Sequence, residues 1–149
     1  MSKKQVLNGI YYVTENYDKD LSLMPYAQAG VNVTNYGDTV IYTLRSYSTN
    51  ILALYVNIKT GAKFLEIGQV NYSRSTMRHV SAFIKEYLPP YISYSFLRDI
   101  YVEHEDLIVI RIPEDYKDYN EDDCLFTEDE FYKHFLEPQI WINEVQHDL

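Results

Sequence analysis

Cysteine occurs once in this chain, at Cys124, which excludes an intramolecular disulfide framework and suits a reducing compartment. A lone thiol leaves a nucleophilic role open, but no histidine accompanies it in a local signature. Long apolar runs are missing too: no stretch approaches the roughly 18–20 residues that cross a bilayer. The opening residues, MSKKQVLNGIYYVTEN, lack the apolar h-region and small-residue cleavage site of a secretory signal. A cytoplasmic location is therefore expected, where the sequons at Asn32-Val-Thr and Asn71-Tyr-Ser would go unread. Glycine and proline number five each, too few for a collagen-like or low-complexity chain. There is no internal repeat, heptad run, glycine-rich phosphate loop, Ser/His/Asp signature, paired-carboxylate motif or metal-ligand spacing. No motif points to an enzyme class or a cofactor, although groups distant in sequence can still converge in space.

What is present is an ordinary globular composition, 46% hydrophobic and 23% charged over 149 residues, sufficient for one domain with a proper core. The net charge of −9 is unevenly placed. Residues 1–102 carry 10 Lys/Arg and 7 Asp/Glu, whereas 103–149 carry 3 and 15. The stretch PEDYKDYNEDDCLFTEDE (113–130) holds 9 acids against one lysine. Phosphate backbones repel such a surface, so direct nucleic-acid binding is not expected. Sixteen tyrosines supply rigid, amphipathic rings of the kind favoured at protein interfaces.

The order of elements predicts a single α+β domain, an antiparallel sheet packed by two or three helices. IYYVT (10–14) and VNVTN (31–35) read as short strands, with ENYDKD (15–20) and YGD (36–38) as turns. TVIYTLRSY (39–47) alternates, placing Val40, Tyr42 and Leu44 on one face and Ile41, Thr43, Arg45 and Tyr47 on the other. ILALYVNIK (51–59) puts Leu52, Leu54, Val56 and Ile58 on one face, and Thr60-Gly61 connects it tightly to AKFLEI (62–67). Met77, Val80, Phe83, Ile84, Tyr87 and Leu88 form the apolar stripe of a helix over about 76–88, with Ser75 as N-cap and Pro89-Pro90 as stop. A second helix is predicted near 94–103 with Phe96, Leu97, Ile100 and Tyr101 as its stripe. DLIVIRI (106–112) then reads as an interior strand, apolar on both faces. Thr127-Glu-Asp-Glu130 has the pattern of a capping box opening a last helix at about 128–136, with Phe126 and Phe131 at the staple positions.

The segment NYSRSTMRHVSAF (71–83) places cations at a helix start, where the free N–H groups already carry partial positive charge. One reading is an anion site built from Ser73, Arg74, Ser75, Thr76, Arg78 and His79, taking a phosphate or carboxylate. The other is internal: Asp38, Glu66 or the hydroxyls of RSYST (45–49) pair with the arginines and fasten helix to sheet, with His79 a hydrogen-bonded structural residue. RSYST followed by a hairpin and YSRSTMRHVSAFIKEY (72–87) resembles a small domain of unknown function found in phages, prophages and plasmids of low-GC Gram-positive bacteria. The shared pattern is a Ser-Tyr-x-Thr strand followed by Tyr-Ser-x-Thr-Thr-x-His at a helix start, over roughly residues 30–88. The resemblance singles out Ser46, Tyr47, Thr49, Tyr72, Ser73, Thr76 and His79; here Ser75 replaces the first threonine of the pair, and His79 stands one place beyond the pattern's histidine, which falls on Arg78. It implies a mobile-element origin and brings no activity with it.

The acidic third lies outside that resemblance. Asp118-x-Asn120-x-Asp122-Asp123-x5-Asp129 has partial calcium-loop spacing but lacks the turn glycine and the final glutamate, so no metal is expected. One reading is a solvated acidic loop. The other is a mimic of nucleic acid, with Asp115, Asp118, Glu121, Asp122 and Asp123 standing in for phosphates and Tyr116, Tyr119 and Tyr132 offering aromatic surface. That face would bind a host protein with a basic nucleic-acid-binding surface, for example a CRISPR nuclease, and inhibit it. The alternatives are a small phosphate-ligand or nucleotide-binding protein using 73–79, and a regulatory protein that self-associates through its charge asymmetry.

Overall fold

The computed structural model describes residues 16–20, 29–47, 49–68, 74–104 and 108–138. Seven strands form one antiparallel sheet whose spatial order is its sequence order: β1 Asn16–Asp20, β2 Ala29–Tyr36, β3 Thr39–Ser46, β4 Thr49–Asn57, β5 Lys63–Ile67, β6 Ile108–Arg111 and β7 Leu125–Thr127. Between β5 and β6 the chain makes α1 (Arg74–Tyr87) and α2 (Tyr94–His104). A single turn, α3 (Glu121–Cys124), precedes β7, and α4 (Glu128–Phe131) follows it and continues as a π-wound turn, Tyr132–Leu136. This is the α+β architecture expected from the order of elements.

The turns are where backbone chemistry requires them. Gly37 and Gly61 take positive φ, open to glycine without a Cβ penalty. Asn57 Oδ1 accepts from the N–H groups of Lys59 and Thr60, fixing the β4–β5 connection. The third positive φ belongs to Tyr47, at +56°, where β3 turns into β4 and Ser46 pairs Thr49. Two-residue hairpins favour this conformation, but Asn-Gly is the usual occupant.

Alternation along β4 loads both faces of the sheet. Leu52 and Leu54 join Leu44, Leu65, Ile67, Ile108 and Ile110 beneath Val80, Phe83 and Ile84 of α1 and Leu97 and Ile100 of α2. Ala53 and Tyr55 join Ile41, Phe64 and Val109 on the other face, covered by Phe131 and Leu136. Each fully buried aliphatic or aromatic side chain is worth about 1.5–3 kcal/mol, so α1 is held by its stripe despite an N-terminus with no acid in its first turn. The interior placement of β6, between β5 and β7, explains its apolar run.

Three expectations are corrected. ENYDKD is not a turn: Asn16–Asp20 pairs along β2 from Asn16↔Thr34 to Asp20↔Gly30. A polar run can serve as an edge strand because pairing satisfies its backbone whatever its side chains. Ile58 does not join the β4 face; it lies beyond the strand and is 63% exposed. Ser75 is not an N-cap, since α1 has begun by Arg74 and Ser75 falls in its first turn. The strand expected at 10–14, Tyr72 and Ser73 lie outside the described residues.

Candidate functional site

The residues expected to form an anion site divide between two sides of α1. Thr76 and His79 are buried against the sheet, while Arg74 and Arg78, one turn apart, are exposed. Ser46, at the end of β3, is the hub of the buried set. Its Oγ lies 2.7 Å from His79 Nδ1 and 3.1 Å from Thr76 Oγ1. The Tyr47 ring closes over the imidazole at a centroid distance of 5.6 Å, and Arg45 Nη1 donates to the Tyr47 carbonyl at 3.0 Å. Burial lowers the His79 pKa, favouring a neutral imidazole. A hydroxyl chain fastens helix to sheet and makes His79 a hydrogen-bonded structural residue, as the internal reading expects. Its arginine pairing is not seen among the described residues: the Ser46 hydroxyl meets Thr76 and His79, Asp38 pairs with Lys59 at 3.4 Å, and Glu66 bonds Tyr55 on the opposite face.

The acidic segment is built and anchored. Asp115 Oδ1 accepts from Lys117 N–H at 3.1 Å and starts a 3₁₀ turn, Tyr116–Asp118. Asn120 Oδ1 accepts from Asp122 N–H at 3.1 Å and caps α3. Asn120 thereby uses its oxygen on the backbone, and its Nδ2 donates to Asp123 at 3.0 Å. Cys124 is buried beneath, accepting from Arg111 Nη2 at 3.1 Å. Four rings pin the segment to the start of α2: Tyr116 packs on Tyr91 at 5.4 Å and Tyr119 on Phe96 at 5.4 Å. Tyr91 OH donates to the Pro113 carbonyl at 2.6 Å. Desolvation pushes the Tyr91 and Tyr119 phenols up to about 12.

Asp115, Asp118, Glu121, Asp122 and Asp123 are all exposed. Among the described residues, the ion pairs that touch 113–124 are Lys117–Asp115 at 3.7 Å and His104–Glu121 at 3.3 Å. The aromatic side of the expectation is only partly met. Tyr116 is 59% exposed, but Tyr119 is half-buried in the ring cluster and Tyr132 belongs to the helix on the other face. The acids of 113–130 are likewise split. Those of 114–123 sit beside α2, whereas Glu128, Asp129 and Glu130 follow β7, where Phe131 packs on the opposite face.

Sequence reasoning named the most perturbed carboxyl but gave it the arginines as partners. Glu66 is 4% exposed, accepts from Tyr55 OH at 2.6 Å, and is pushed up to about 8 by desolvation, which outweighs the lowering effect of Tyr55; Glu128 adds repulsion. Its place in the alternating strand KFLEI was the available signal, since Glu66 falls on the same face as Phe64. No family model, curated protein or solved structure matches this chain.

Proposed function

We propose that this is a binding protein whose acidic segment, 115–123, occupies the cationic nucleic-acid-binding groove of a partner protein. The observation that carries the reading is the ordered display of five exposed carboxylates, of which Asp118, Asp122 and Asp123 meet no basic side chain among the described residues. A rigid negative surface attracts a cationic groove over a Debye length and orients the encounter. Ring packing and side-chain caps lower the ordering cost on binding. Tyr116, projecting beside the carboxylates, supplies apolar contact.

The resemblance to a mobile-element domain makes a host-defence nuclease, such as a CRISPR effector, the partner class we favour, with inhibition by occupancy of its groove. Of the described anion-site residues, only the Arg74 and Arg78 side chains are seen exposed to solvent, which gives the phosphate-ligand reading less support. The test uses wild-type protein and an Asp118→Asn/Asp122→Asn/Asp123→Asn variant as baits in host lysate, with captured proteins then assayed for nucleic-acid binding. The wild type should retain a nucleic-acid-binding protein in a salt-sensitive manner and block its binding to DNA or RNA, and the variant should do neither. Equal capture and equal blocking by the variant would reject the acidic face as the docking surface.

A further inference from the structure

We propose that Glu103, His104 and Glu121 form a site for one divalent transition cation of the Zn2+ type. One ligand atom from each of these side chains lies within 4.8 Å of the others. His104 Nε2 and Glu121 Oε1 are 3.3 Å apart. Two ligands at about 2.0–2.1 Å from a tetrahedral ion are separated by about 3.3–3.4 Å, so this pair already has the spacing of a coordination edge. The Glu103 carboxylate, with an oxygen within 4.8 Å of both, would supply the third ligand and water the fourth.

A second observation concerns the imidazole itself. His104 Nε2 is closed to solvent and has no hydrogen-bond partner; the Glu121 oxygen is near enough in distance but lacks the alignment of a hydrogen bond. The side chain as a whole is 31% exposed and meets Glu121 at 3.3 Å in an imperfect contact, which coordination replaces. His104 is the last residue described in α2. One imidazole with two carboxylates suits Zn2+ and its first-row neighbours; Ca2+ and Mg2+ prefer all-oxygen shells. The site shares none of the calcium-like ligand positions Asp118, Asn120, Asp122 and Asp129, and the Asn120 side chain is spent on capping.

The test uses the full chain, stripped with a chelator, titrated with Zn2+ by calorimetry and with Co2+ by visible absorption. One equivalent should bind, with Co2+ developing the ligand-field bands of a low-coordinate site. His104→Ala and Glu121→Gln should each weaken binding at least ~10-fold, and Glu103→Gln should weaken it too, with circular dichroism confirming that the variants fold. His134→Ala and the Asp118/Asp122/Asp123 triple variant should bind as the wild type does, which separates this site from the docking reading. Absence of saturable binding at millimolar metal, or binding untouched by His104→Ala and Glu121→Gln, would overturn the proposal and leave the 3.3 Å contact an ion pair only.

Discussion

Glu66 is a carboxyl that folding carries into an apolar interior, and its sign is opposite to that of a salt-bridged acid. Its pKa rises from 4.5 to about 8, so the folded protein keeps the proton while the unfolded chain releases it. Its contribution to stability is fully present below pH 4.5 and is lost as pH rises toward 8, at about 1.4 kcal/mol per pH unit. Glu66→Gln keeps an acceptor for Tyr55 and should raise the urea midpoint at pH 8 while changing it little at pH 4; equal pH slopes in the two proteins would contradict this. His79 has the reverse sign: its pKa is lowered, so its stabilising effect holds above the ordinary imidazole value and fades on acidification. Ser46→Ala withdraws a hydrogen-bond partner from both His79 and Thr76 and should cost about 1–3 kcal/mol, measured by denaturant unfolding. Tyr47 holds a positive φ with a bulky side chain, so Tyr47→Asn should gain about 0.5–1 kcal/mol in the same assay. A loss of stability there would mean that the contact with His79 outweighs the backbone strain.

At the level of elements, the cap of α4 controls the cover over one whole face. Thr127 N–H donates to Glu130 Oε1 at 3.0 Å and Glu130 N–H to Thr127 Oγ1 at 3.2 Å, and the Thr127 N–H, with the Thr127 hydroxyl, holds the Glu130 carboxyl below its usual pKa. Thr127→Ala should cost about 0.5–2 kcal/mol and speed amide exchange in 128–136 before it affects α1. This element was legible in the sequence because all of its determinants lie within five residues. The α1 stripe, apart from Met77, which is exposed, and the β3–β4–β5 meander were legible for the same reason: period and turn chemistry are local. The strand at 16–20 was not, because its pairing with β2 and not its composition makes it a strand. Neither was the Ser46–His79 bond, which joins residues 33 apart, nor the turn at Tyr47, where the residue usually associated with positive φ is missing. Of the candidate sites, the acidic segment's exposure could be read from charge density, whereas the inward side of Tyr119 depended on Tyr91 and Phe96 arriving from α2.

For the whole molecule, the short edge strand β7 is the feature that partitions the charge. The chain crosses the sheet edge there, leaving Cys124 and the carboxylates of 114–123 with α2 and sending Phe131 and Leu136 to the opposite face. Among the described residues, the acids of 114–123 therefore lie on the α2 side, apart from Glu128, Asp129 and Glu130. Among the described residues no helix is long and apolar enough to cross a membrane. The most direct measurement is competition: a partner captured by the wild type, bound to labelled nucleic acid, is titrated with the wild type and with the Asp118/Asp122/Asp123 triple variant at rising ionic strength. The account predicts displacement by the wild type that weakens with salt and is lost in the variant. Displacement by the variant at wild-type concentrations, or displacement indifferent to salt, would contradict it.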